Sequence, residues 1–145
     1  MMKKPKLYKQ EKAYSCTVAC LRMVLGYYGI KETENILRIK SKTRFYGTHP
    51  LNIIECANSY GLGATLSSLS LDELQELINL NVPVITNIFK CEDNEFYIHS
   101  VVVYRIAGDQ IYVLDPEDGE KQIQQDLFEN LWQSTEYTAI VIKKS

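Results

Sequence analysis

Residues 10–29 read QEKAYSCTVACLRMVLGYYG, and the reading of this stretch governs the rest of the chain. Ser15 is a good helix N-cap. After it, Val18, Leu21, Leu25 and Tyr28 recur at helical spacing, and Cys20, Val24 and Tyr27 widen the apolar stripe. Gly29 is a natural C-terminal stop. Cys16 therefore falls in the first turn of an amphipathic helix, where free backbone N–H groups and the helix dipole favour a thiolate. A lone helical cysteine is most often a small buried hydrophobe. Its place at the helix start, with Gln10 upstream, argues for a chemical role instead.

A cysteine nucleophile needs a base, a group that orients the base, and donors for the oxyanion. Downstream, Tyr97-Ile98-His99-Ser100 supplies an imidazole and Asp115-Pro116 a carboxylate. Gln10 and the Cys16 N–H are the candidate oxyanion donors. Taken alone, His99 reads as a core or surface histidine, and Asp before Pro as common turn chemistry. The two gain force from their placement. Each lies in a strand-like run, and Ala107-Gly108-Asp109 is a hairpin connection between the runs. Counting back from that hairpin puts His99 and Asp115 at the same end of a sheet.

The order of elements predicts an α+β fold, with helices first and strands later. Thr33 to Ile39 forms a short helix. Thr48 caps another, with Pro50 in its first turn, Leu51, Ile54, Ala57 and Tyr60 on one side, and Gly61 at its end. Ser70 and Glu73 form a capping-box signature ahead of Leu74, Leu77 and Ile78. The period then changes. Val82 to Phe89, Phe96 to Ile106, Gln110 to Leu114, Lys121 to Gln124 and Tyr137 to Ile142 are rich in β-branched and aromatic residues and read as strands. Glu117-Asp118-Gly119 reads as a turn and the acidic group Glu117, Asp118 and Glu120 as solvated. Cys56 reads as core, and Cys91 as an exposed thiol in a polar loop.

Around these residues the chain resembles the double-glycine leader peptidases, the papain-like peptidase domains of bacteriocin-exporting ABC transporters. The matching residues are Gln10, Cys16, Ala19-Cys20-Leu21, Met23 and Tyr27-Tyr28-Gly29. Gly47-Thr48, Gly61, Pro83-Val84-Ile85, His99 with Val101-Val102, and Asp115-Pro116 also match. Beside the nucleophile, Ser15 stands where the family pattern has an acidic residue and Thr17 where it has Gly. The resemblance implies a papain-like fold, N-terminal helices packed on a mainly antiparallel C-terminal sheet. It also implies a cysteine endopeptidase that cuts a leader peptide after Gly-Gly. The partners implied are that leader and a transporter's membrane and ATPase modules, at the cytoplasmic face of the membrane.

Composition agrees with a globular enzyme. The 145 residues, 46% hydrophobic and 23% charged, suit one domain spanning residues 1–145. A net charge of -2 gives no electrostatic case for nucleic acid. No apolar run approaches the ~20 residues of a membrane span. The lysine-containing start lacks the apolar region of a signal peptide. The four cysteines are expected to stay reduced in a cytoplasmic setting. Cys16 and Cys20 with His49 or His99 offer too few ligands for zinc, so neither a metal nor a cofactor is expected.

The expected chemistry has Cys16 attack a peptide carbonyl while Gln10 and the Cys16 N–H hold the oxyanion. His99 protonates the leaving amine and then activates water, and Asp115 holds the His99 tautomer. Two other readings stay open: a module that binds a leader without cutting it, and an acyl or peptidyl transferase using the same Cys-His-Asp set. So does the choice between a free-standing chain and a domain of a transporter.

Overall fold

The computed structural model describes residues 3–145. In chain order they form α1 (Cys16–Tyr27), α2 (Glu34–Lys40), α3 (Pro50–Ser59), β1 (Leu62–Ser68), α4 (Leu71–Asn79), β2 (Val84–Glu92), β3 (Glu95–Ala107), β4 (Gln110–Asp115), β5 (Gly119–Gln124), α5 (Gln125–Gln133) and β6 (Thr138–Lys144). The strands make one antiparallel sheet in the order β1-β6-β2-β3-β4-β5. This is the expected papain-like α+β arrangement, with N-terminal helices on a largely C-terminal sheet.

Strand alternation explains why the sheet carries helices on both faces. Val102 of β3 joins Leu21, Leu25, Leu37, Ile53 and Ala57 of the first three helices in one core cluster, together with Ile85, Leu114 and Ile140. Its neighbours Val101 and Val103 turn the other way and meet Leu74 and Ile78 of α4 and Phe128 and Trp132 of α5. Each strand residue faces opposite its neighbour, so an unbroken run of valines feeds two cores at once.

Local signals set most helix ends. Ser70 accepts from the Glu73 N–H at 3.0 Å, and the Glu73 carboxylate accepts from the Ser70 N–H at 2.9 Å, the expected capping box. Thr33 caps α2 by accepting from the Ile36 N–H. At α3 the cap is His49, whose Nδ1 accepts from the Leu51 N–H at 3.1 Å, and not Thr48, whose hydroxyl is paired with Thr43. Ser15 stands at the N-cap position of α1 but makes no capping bond. Its hydroxyl instead bonds the Lys12 carbonyl and the Glu34 carboxylate.

Two elements go beyond the sequence reading. β1 was not anticipated, because LGATLSS is an edge strand with only Leu62 buried and so lacks an apolar period. Nor was α5, where Phe128 and Trp132 share one buried helix face, four residues apart, under a Gln124 cap. Cys91 lies on β2 and is exposed, rather than in a loop. The Trp132 indole N–H donates to the Thr138 carbonyl at 3.0 Å, tying α5 to β6. Trp132→Ala should therefore lower unfolding free energy by about 3–5 kcal/mol. Urea melts would show this as a lower midpoint with an unchanged slope. A loss below about 1 kcal/mol would mean that the α5 face adds little to the core.

Candidate active site

The site is built where the sheet steps. β4 ends at Asp115, and its pairing with β3 stops at Val102 opposite Leu114. β3 continues on the far side of that point, so residues 95–101 are paired to β2 alone among the described strands. The start of α1 fills the vacated place. The Cys16 sulfur stands beside His99 and the Ser100 N–H, both of which favour its thiolate, and the Thr17 hydroxyl lies 3.8 Å from it.

His99 and Asp115, both at most 2% exposed, meet directly. The His99 Nε2–H donates to Asp115 Oδ1 at 2.7 Å. That leaves Nδ1 on the side away from Asp115, where Glu117 Oε1 stands 3.4 Å from it. The same Asp115 oxygen accepts the backbone N–H groups of Glu117 at 2.8 Å and Asp118 at 3.2 Å. Asp115 is thus a turn aspartate as well as the imidazole's partner, and the turn bonds hold its carboxylate still. Pro116 in turn accepts the Gln10 backbone N–H at 2.9 Å, bringing the loop before α1 against this turn.

Gln10 itself is placed differently. Its Nε2 donates to the Lys12 carbonyl at 2.9 Å and the Ala13 carbonyl at 3.2 Å, and its Oε1 is buried without a partner. In this state both amide protons face loop carbonyls. Glu34, fully buried on α2, braces the same loop: it accepts from the Glu11 N–H at 3.0 Å and Ser15 hydroxyl at 3.2 Å, and pairs with Arg38 at 3.0 Å.

The charged groups share one network. Lys90 Nζ lies 3.1 Å from Asp115 Oδ2 and 2.9 Å from both Glu117 and Asp118. Glu117 also accepts from the Tyr97 hydroxyl at 2.9 Å and stands 3.4 Å from His99 Nδ1. The expectation of a solvated acidic turn holds for Asp118 and Glu120, which are exposed, and is corrected for Glu117, which is half-buried and held by Lys90 and Tyr97 beside the imidazole. Glu34, Lys90, Tyr97 and Glu117 were missed in the sequence, where each looks like an ordinary surface residue. Cys20 and His49, two of the groups judged too few for zinc, lie apart from this network. Cys20 is buried in the core and His49 Nδ1 is used to cap α3.

Burial opposes ionisation of the Cys16 thiol, but the hydrogen bond and charge of His99 and the Ser100 N–H outweigh it and hold the thiol below its ordinary value. Burial likewise opposes charge on His99. The bonds to Asp115 and Cys16 win and raise its pKa to about 9. Burial would push Asp115 up, yet His99, the turn N–H and Lys90 pull it well below the usual carboxylate range. The signs set a window. The raised imidazolium contributes stability below its ordinary value of 6.5 that is lost as pH rises through about 9. The depressed carboxylate contributes stability above its ordinary 3.8 that is lost as pH falls through its folded value. Between these limits a thiolate beside an imidazolium can attack a carbonyl carbon.

Cys16 and His99 line one cleft of about 460 Å³ with Thr17, Phe45, Tyr46, Asn87, Ser100 and Glu117. Near neutral pH, iodoacetamide should modify Cys16 faster than the exposed Cys91, and Cys20 and Cys56 only on unfolding, because burial raises both of those thiols. His99→Ala should move the pH midpoint of Cys16 labelling upward, since burial would then act with less opposition. An unmoved midpoint, read by peptide mass spectrometry, would detach the thiolate from His99.

Comparison with known proteins places this geometry. The model of the Peptidase C39 family matches residues 4–145. The lactococcin-G-processing and transport ATP-binding protein LagD of Lactococcus lactis is 32% identical over 115 residues, 79% of this chain and 16% of LagD. The transport/processing ATP-binding protein ComA of Streptococcus pneumoniae is 30% identical over 81% of this chain and 16% of its own length. The chain thus spans about a sixth of the length of these curated relatives. Among solved structures, the peptidase domain of Streptococcus ComA superposes with a TM-score of 0.83 at 26% identity, covering 97% of this chain and 98% of that one. A double glycine motif protease from an AMS/PCAT transporter, solved with its leader peptide, gives 0.80 at 25%, covering 99% and 94%. No helix among the described residues is long and apolar enough to cross a membrane. On the match over almost its whole length, the chain belongs to the Peptidase C39 family of cysteine peptidases.

Proposed function

We propose that this domain cuts the leader from a double-glycine precursor peptide at the cytoplasmic face of the membrane, in partnership with an ABC exporter. The observation that carries the reading is the set of Cys16, His99 and Asp115, with Cys16 and His99 on the cleft and Asp115 bonded to the imidazole behind them. Its similarity to a double glycine motif protease bound to a leader peptide supports the substrate class.

In the proposed reaction the Cys16 thiolate adds to the carbonyl of the last leader residue. The new oxyanion lies at the start of α1, where backbone N–H groups have no helical acceptor. Gln10 is the second donor, and it reaches that role by leaving the Lys12 and Ala13 carbonyls. The unpartnered Oε1 lowers the cost of that move, since a buried unpaired acceptor already costs about 1–3 kcal/mol. His99 Nδ1–H then protonates the leaving amine, and the freed imidazole activates water to release the acyl group. Asp115 keeps Nε2 protonated throughout.

Thr17 shapes specificity in this scheme. Its hydroxyl is held 2.9 Å from that of Ser100, which donates to Asn87 Oδ1 at 2.8 Å, and all three residues border the cleft. A β-branched side chain fixed there narrows the path beside the sulfur and favours residues without a side chain.

Cys16→Ala should abolish cleavage of a Gly-Gly precursor, and His99→Ala should cost as much, because the two act as a unit. Gln10→Ala should cost on the order of 10²–10³-fold in kcat. Mass spectrometry of the products checks these outcomes; full cleavage by Cys16→Ala would end the cysteine-peptidase mechanism. A precursor panel tests the junction. Gly-Gly should be cut after its second Gly and β-branched replacements refused, while Thr17→Gly should restore some cutting at Gly-Ala. Equal cutting at bulky junctions would refute the double-glycine assignment.

A further inference from the structure

We propose that Asn87 is a substrate-binding residue whose side-chain amide donates to the backbone carbonyl of the first glycine of the Gly-Gly junction, aimed there by a hydrogen-bond chain through Thr17 and Ser100. The inference deepens the proposed peptidase function and rests on it. Asn87 lies on β2 directly opposite Ser100 of β3, and both border the cleft together with Cys16, Thr17 and His99.

Proton counting fixes the direction of the chain. The Ser100 hydroxyl donates to Asn87 Oδ1 at 2.8 Å, which uses its single proton. The Thr17 hydroxyl, 2.9 Å from that of Ser100, must therefore be the donor in their pair. Thr17 Oγ1 lies 3.8 Å from the Cys16 sulfur, so the chain starts beside the nucleophile. It ends on Asn87 with Oδ1 taken, and among the described residues no group accepts from Nδ2. Asn87 is half-buried, and its backbone is held as well: its carbonyl accepts from the Thr135 hydroxyl at 2.6 Å. An amide with its oxygen anchored and its nitrogen free is a preset donor, with little ordering left to lose when an acceptor arrives.

A Gly-Gly junction calls for such a donor. Two glycines offer no side chain to grip, so a cleft that holds them must draw on their backbone N–H and C=O groups. The carbonyl of the second glycine is the one attacked, and its oxygen goes to the start of α1. The carbonyl of the first glycine stays neutral throughout and suits a neutral donor. Other side-chain protons on the cleft are committed: those of Thr17 and Ser100 within the chain, that of Tyr97 to Glu92 and Glu117, while Thr48 pairs with Thr43. Exposed Phe45, Tyr46 and Ile98 border the same cleft, and a peptide laid against them sheds water from the bond. Thr17 then acts twice, narrowing the path beside the sulfur and orienting the donor for the residues that fit.

The test measures steady-state cleavage of a Gly-Gly precursor peptide and of the same peptide with sulfur, a weaker acceptor, in place of the first glycine's carbonyl oxygen. The contact is the same before and during reaction, so its loss should fall on KM rather than kcat. Asn87→Ala should raise KM by about tenfold for the normal peptide. The sulfur should cost the unaltered chain a similar factor and cost Asn87→Ala much less, since the two changes remove one bond. Asn87→Asp keeps the acceptor for Ser100 but lacks the donor, so it should do no better than Asn87→Ala. Circular dichroism checks folding, and iodoacetamide should label Cys16 of Asn87→Ala at the unaltered rate. The peptide arm needs no variant: in the unaltered chain, sulfur at the residue before Gly-Gly should cost less than sulfur at the first glycine. Rescue by Asn87→Asp, an unchanged KM in Asn87→Ala, a loss confined to kcat, or an equal cost of sulfur in both chains would overturn the assignment. If the unaltered chain cuts neither peptide, the peptidase reading falls and takes this one with it; cleavage without these KM effects removes the role of Asn87 alone.

Discussion

Everything at the site depends on one strand being shorter than its neighbour. β4 ends at Asp115 while β3 runs on, and the vacated edge receives the first turn of α1. A longer β4 would occupy the Ser100 N–H that now faces the Cys16 sulfur. Asp115-Pro116 enforces the stop, because proline has no N–H to continue a ladder and Asp115 spends its carboxylate on the turn. The interruption of the sheet and the orientation of the imidazole are thus the work of two adjacent residues, Asp115 and Pro116.

The same geometry resolves an electrostatic problem. Three ionisable groups sit where burial penalises each charge. Separately each would be driven neutral; together, the thiolate, imidazolium and carboxylate support one another. Lys90 extends that balance outward by taking the second oxygen of Asp115 and restraining Glu117 and Asp118. The loop carrying Gln10 is treated likewise. Its backbone is clamped on one side by Pro116 and on the other by the buried Glu34–Arg38 pair, while the Gln10 amide alone is left imperfectly satisfied. The loop is thus a rigid frame around one loosely paired side-chain amide.

The sequence by itself determined a good deal: in residues 10–29 an amphipathic helix with Cys16 in its first turn, and around the Gly108 hairpin a strand pair that would bring His99 and Asp115 to one end of a sheet. Those features depend on period, capping and hairpin length, which are local and so legible. The Ser70–Glu73 capping box was legible for the same reason. Edge strand β1 was not, since its neighbour β6 supplies the pairing that its own side chains do not announce. Only the tertiary structure decided what Glu34, Lys90 and Glu117 do, because a charged residue's partner lies far away in sequence and its burial follows from packing. It also decided that Ser15 answers Glu34 rather than capping α1, and that Gln10 faces the Lys12 and Ala13 carbonyls. A side chain's identity limits the bonds it can make; the fold chooses among them by what it brings within 3 Å.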